Sequence, residues 1–421
     1  MKKIIMAMAW FAAVATCAIL PMSAAASATI SDVIVRQQWP WNGKVNIDYV
    51  LSDPSGGEHD INVVLHNADQ IITNEYGSLT GDLFGVKSGA HRIVWDPQFN
   101  SPTYANNAMA DFSVTLSTDD DAATYMVVDI SGGADAAAFP VTFTNHPPEG
   151  GWKQDVYKTT KLVLRHIPAG SFRMGSPEDE IGHTDKREKL HMVTFTNDFY
   201  IGIFETTAAQ YSNMVHTAAE YSDGTAGSKY PVNLVSPQTL RGDDCYESGT
   251  YPALQSDSFF GRLAEKFSFS GKFADYAFDL PTLSQWEYAC RAGTVGAWND
   301  GTTITNDTDD AQLTRLGYWR SKFWRQPVGQ LVPNAFGLYD MHGNVSELCV
   351  DKVGDAKTLW TGEPLVEPLA PSDAWPWTHG AQKGGNARAY PTGCRSAMLS
   401  PGNGEWVGFR IAFIYKRFAN P

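Results

Sequence analysis

Pro333-Asn334-Ala335-Phe336-Gly337-Leu338-Tyr339-Asp340-Met341-His342-Gly343-Asn344-Val345, running on into Ser346-Glu347-Leu348, is the stretch that decides how this chain is read. Glycine and asparagine punctuate it, so it reads as looped backbone between short strands. Upstream, Thr282 to Arg291 reads as a helix. Thr282 caps it, Trp286 and Cys290 lie four apart on one face, and Gly293 stops it. A second helical pattern runs from Thr206 to about Ala219, with Thr206-Thr207 as its cap. The rest of the segment from Val156 to Ala419 reads as short strands and long loops bearing Gly, Asn and Trp.

Further upstream the pattern changes to β. Asp32–Arg36, Val45–Leu51, Ile61–Leu65, Arg92–Trp95 and Phe112–Leu116 are short runs rich in β-branched residues, separated by Gly, Pro, Asn and Asp clusters. This spacing predicts a small antiparallel, immunoglobulin-like β-sandwich over 29–121. Its acidic end, Asp119-Asp120-Asp121, reads as a solvated loop. Residues 122–155 read as a connector, with one strand-like run from Tyr125 to Ile130 and then Gly-, Ala- and Pro-rich sequence. No internal repeat is found.

The chain has 421 residues, 43% hydrophobic and 19% charged, enough to bury real cores. A net charge of −14 with no Lys/Arg run argues against nucleic acid as a partner. Residues 1–28 read as a secretory signal. Lys2 and Lys3 precede an apolar stretch to about Leu20, and Ala26-Ser27-Ala28 fits a cleavage site. The expectation is a secreted or periplasmic chain, cut near Ala28, with no membrane span after cleavage. Four cysteines then remain: Cys245, Cys290, Cys349 and Cys394. An even number in an oxidising compartment favours disulfides, and no C-x-x-C suggests a zinc or redox site.

The segment from Ile167 to Arg410 resembles the sulfatase-modifying-factor family, the formylglycine-generating-enzyme-like domains. The resemblance rests on markers in family order. They are Ile167–Ser176, Phe199–Thr207, Pro231–Ser236, Leu280–Gly293, Pro327–Gly329, Pro333–Val345, Gly384-Gly385, Cys394-Arg395-Ser396 and Gly408-Phe409-Arg410. It implies an α+β, C-type-lectin-like fold for residues 156–419. Active members oxidise a sulfatase cysteine to formylglycine with copper(I), oxygen and two cysteines. Soft Cu(I) selects thiolates, and two hold it. The two cysteines would stand four and nine residues after Gly385, where this chain has Ala389 and Cys394. The pair is therefore absent. The family's Gly-Asn-x-Trp-Glu-Trp becomes Gly343-Asn344-Val345-Ser346-Glu347-Leu348, and its Ser after the two glycines becomes Asn386.

The same resemblance implies a structural disulfide between Cys290 and Cys394, which leaves Cys245 and Cys349 as a possible second bridge. It implies a structural calcium held by Asp340, Gly343, Val345 and Glu347, all oxygen donors as hard Ca²⁺ requires. Glu205 and Glu287 fit core hydrogen bonding better than acid/base catalysis. His183 and His191, eight apart, do not have the spacing of a helical zinc pair. The expectation is a non-catalytic relative of formylglycine-generating enzyme that binds a polypeptide, glycan or cell-surface ligand. The alternative is an active oxygen-dependent oxidase of sulfatase cysteine, in which Cys394 is catalytic and copper is bound.

Overall fold

The computed structural model describes residues 28–68, 70–72, 78–99, 104, 108–118, 123–215, 228–242, 254–320, 324–352, 362–368, 380–401 and 404–415. Residues 1–27, which fall in the expected signal sequence, the Asp119–Asp121 run and Cys245 lie outside them.

The front of the chain forms two antiparallel sheets. Thr29–Gln37, Val45–Ser52, Gly89–Trp95 and Leu79–Gly81 lie side by side in that order; Gln70–Ile72, Ile61–Asn67 and Phe112–Thr118 form the other sheet. Alternation explains the pairing of faces. Val45, Ile47, Tyr49 and Leu51 are buried while the residues between them are partly exposed. They share one core with Ile61, Val63 and Leu65 of the second sheet and with Trp95.

The 122–155 segment is not a connector. Tyr125–Asp129 and Val141–Thr144 are strands of a six-stranded antiparallel sheet, next to Lys161–Ile167, Phe199–Gly202, Ala412–Tyr415 and Tyr276–Asp279 in that order. Met126 and Val128 are buried in its core, which explains why the segment pairs there. The sheet also meets the front region. Arg165 is ion-paired with Asp60, Tyr125 Oη donates to Glu58 (2.7 Å), and Phe84 packs on Phe336 at 4.3 Å.

Helices are short. Ala208–Met214 opens on a capping box between Thr207 and Gln210, and Leu283–Arg291 on one between Thr282 and Gln285. The second helix ends in left-handed backbone at Ala292 and Gly293. It is buried on every side, so Glu287 is satisfied internally by Gly175 N (2.9 Å), Arg291 and Lys383 Nζ (2.8 Å). Among the described residues no helix is long and apolar enough to cross a membrane.

Candidate functional site

The Asp340–Asn344 loop is a tight turn with left-handed backbone. Asp340 (φ 57°), Gly343 (92°) and Asn344 (58°) occupy backbone that favours Gly, Asn and Asp. Gly343 is also required by space, because a Cβ there would stand 2.0 Å from Tyr318 O. His342–Gly343 pairs in parallel with Gly317–Tyr318. The chain then enters Ser346–Lys352, flanked by Gly380–Lys383 and Val407–Phe409. The closing segment of the domain thus brackets the loop.

Inside this bracket sits a buried charge cluster. Glu347 accepts from Arg410 at both oxygens (2.7 and 3.0 Å) and from Trp286 Nε1 (2.6 Å). Glu205 accepts from Val345 N (3.0 Å) and Asn344 Nδ2 (2.6 Å), the core role expected of it. Asp340 Oδ2 accepts from Gly329 N (2.6 Å), and its Oδ1 is buried with no hydrogen-bond partner. Burial first, then the charges of Asp340 and Glu347, raise the Glu205 carboxyl well above the usual range. Burial raises Asp340 to about 6.

This is the expected calcium loop. Of its two acids, Asp340 has an oxygen to give, whereas Glu347 is engaged by Arg410 and Trp286. Among the described residues no group of three or more His, Cys, Asp and Glu is arranged as a metal site. A hard cation therefore fits at Asp340 on the evidence of its unpartnered oxygen, and Glu347 is better described as the anchor of Arg410.

The cysteines depart from expectation. Cys290, Cys349 and Cys394 are free buried thiols, so the Cys290–Cys394 bridge is not formed, and Cys349 is free of a bridge to Cys245. The two expected partners lie in different cores. Cys290 packs with Trp286 and Met341, and its sulfur faces Ser396 Oγ (3.7 Å) and His342 Nε2 (4.0 Å). Cys394 packs with Trp298, Leu316 and Trp319. The His342 ring reaches both sides, with Nε2 accepting from Asn299 N (3.0 Å) and Nδ1 donating to Cys394 O (2.7 Å). Burial pushes both thiols up to about 12 and holds His342 down at about 4. Cys394 is a protonated core thiol, and Ala389 packs against its cluster. One buried thiol beside a methyl group does not fit copper(I).

Asn386 Nδ2 donates to Ser346 Oγ (3.0 Å), joining two of the positions that differ from the family pattern. Just outside, sequence reading missed an aromatic and cationic patch. Arg388 lies over Trp324 and Trp406 (5.3 and 5.2 Å), and Arg320 lies over Tyr390 (4.2 Å). Arg320 N also donates to Ala389 O (3.1 Å), so both stacks flank position 389. The only sequence signal was the richness in Trp and Arg around 319–325.

The profile of the Sulfatase-modifying factor enzyme 1-like domain matches residues 153–414, more than half of the chain. The chain belongs to that family. It is similar to a Streptomyces coelicolor protein named formylglycine-generating enzyme, 32% identical over 111 residues (22% of this chain, 31% of that protein). A Mycobacterium tuberculosis protein of the same name is 36% identical over 81 residues (16% of this chain, 25% of that protein). The matched region thus spans under a third of either relative. Among solved structures, Treponema denticola variable protein 1 is 21% identical with a TM-score of 0.44, covering 60% of this chain and 95% of its own. PvdO from Pseudomonas aeruginosa is 23% identical with a TM-score of 0.44, covering 60% and 94%.

Proposed function

We propose that this is an exported, non-catalytic relative of formylglycine-generating enzyme, which binds a partner at the face around position 389. Export rests on the signal-like residues 1–28, and the front region is read as an immunoglobulin-like sandwich that accompanies the binding domain. The observation that carries the reading is the pairing of Ala389 with a buried Cys394 whose thiol is held protonated. Cysteine oxidation of the family type needs two accessible thiolates, and this chain offers neither at that face.

The test is an anaerobic copper(I) titration followed by an oxygen-consumption assay on a peptide carrying the sulfatase cysteine. The expected result is no tight copper binding and no formylglycine. Product at a rate above the copper-only control would overturn the proposal in favour of the oxidase reading. Calcium belongs to the proposal as a structural ion. Asp340, with the carbonyls of Gly343 and Val345, would hold it, and Glu347 would contribute charge from behind.

A further inference from the structure

The patch beside position 389 has an unusual combination of exposure and charge. Trp324 is 67% exposed and Tyr390 43%. Arg388 and Arg320 are exposed as well, each over an aromatic face. Among the described residues neither guanidinium makes a hydrogen bond or an ion pair. The chain has 46 acids against 32 bases, so two arginines without an acid are not explained by supply. Stacking on a ring fixes the plane of a guanidinium while leaving its N–H donors turned outward. Such donors suit a carboxylate or sulfate, which accepts two parallel hydrogen bonds.

Exposed ring faces beside those donors suit a sugar, whose C–H face packs on an aromatic ring while its hydroxyls stay in water. The backbone argues against an extended peptide here. Trp406 leads into the edge strand Val407–Phe409, whose outward carbonyls are already taken. Val407 O accepts from Val235 N (3.2 Å) and Phe409 O from Thr206 N (2.9 Å). Trp406 O accepts from Ser346 N (2.9 Å). Among the described residues no open sheet edge beside Trp406 is left for strand addition.

We infer that Trp324, Trp406, Arg388, Arg320 and Tyr390 form a subsite for an acidic saccharide, a sugar carrying a carboxylate or sulfate. The inference rests on the partner-binding reading above and names the class of partner.

The full chain is titrated with a heparin-derived hexasaccharide, an oligogalacturonate of the same length, maltohexaose and a decaglutamate peptide. Tryptophan fluorescence and calorimetry are the readouts. At least one acidic saccharide should bind saturably, and raising salt from 0.15 to 0.5 M should weaken it. Maltohexaose and decaglutamate should bind at least about tenfold more weakly. Whether the sulfated or the uronate sugar binds tells which anion the arginines take. Arg388→Ala and Trp324→Ala should each weaken binding about tenfold, with thermal melting showing that both variants fold. Equal binding of decaglutamate would overturn the inference in favour of an acidic polypeptide. So would no binding of either acidic sugar, or binding unchanged in both variants. The copper assay separates the two levels. Formylglycine product sinks the non-catalytic reading, whereas absent sugar binding with no product sinks only this inference.

Discussion

Two neighbouring regions of the family domain, one around Glu347 and one around Ala389, use charge in opposite ways. Around Glu347 three acids and Arg410 are buried, and nearly every polar atom has a partner. Around Ala389 two arginines are exposed and stacked on rings, and among the described residues their guanidinium groups have no acid partner. A buried ion pair is costly to break because the surviving charge stays out of water. An exposed unpaired charge costs nothing to keep and is free to meet a ligand. The first region is therefore read as framework and the second as function, although family markers run through both.

The sharpest way to break this comparison is to remove Arg410. Arg410→Met leaves Glu347 facing Glu205 and Asp340 without its cation. Stability should fall by about 3–5 kcal/mol, read as a lower urea midpoint. An unchanged midpoint would show that the buried cluster is not framework. A smaller effect is expected from calcium. A ligand bound only by the native state at a hundred times its Kd adds about 2.7 kcal/mol. Melting in millimolar calcium should therefore exceed melting in chelator, and Asp340→Asn should erase the difference. A wild type that melts alike in both conditions removes the cation from Asp340.

The thiols give an effect that grows with pH. Cys290 and Cys394 are held at about 12 by burial, against about 8.5 in an unfolded chain. Between those values the unfolded chain loses the thiol protons and the native one keeps them. Stability should fall as pH rises above about 8.5, by up to about 1.4 kcal/mol per pH unit per thiol. Cys290→Ala with Cys394→Ala should make that part of the profile shallower, leaving the share of Cys349, whose buried thiol is also pushed well up. Native protein should also resist iodoacetamide at both positions, and a cross-linked 290–394 peptide in the non-reduced digest would contradict the free thiols.

Local features of the fold were legible where neighbours in sequence determine them. The alternation of Val45–Leu51 marked its strand, and Thr206-Thr207 and Thr282 marked the helix starts, where the structure has capping boxes at Thr207 and Thr282. What was hidden depends on distant partners. Glu287 is legible as a core hydrogen-bonding acid, but its partner Lys383, 96 residues later, is not. Arg410 looked like a closing motif residue, and nothing near it announced Glu347, 63 residues back. The cysteine pairing failed for the same reason, because the place of His342 between Cys290 and the Cys394 backbone is a tertiary fact. In 122–155 the Gly- and Pro-rich composition masked Val141–Thr144, a strand of four residues that pairs with Tyr125–Val128. The patch at position 389 joins residues 320, 324, 388, 390 and 406, a set no local pattern could assemble.

The smallest expected effect is the one that most sharpens the comparison. If the patch is function and not framework, removing its side chains should leave the fold indifferent. Trp324→Ala and Arg388→Ala should each change stability by no more than about 1 kcal/mol, the size of the exposed cation–π contact each removes. Tyr390→Ala is the parallel case. Its ring carries Arg320, but a cation–π contact at an exposed site contributes only about 0.5–1 kcal/mol. Urea midpoints of the three variants, measured beside Arg410→Met, place both regions on one scale. A loss of 3 kcal/mol or more at Trp324 would mean that its exposed face belongs to a buried contact, and the division between framework and function would have to be redrawn.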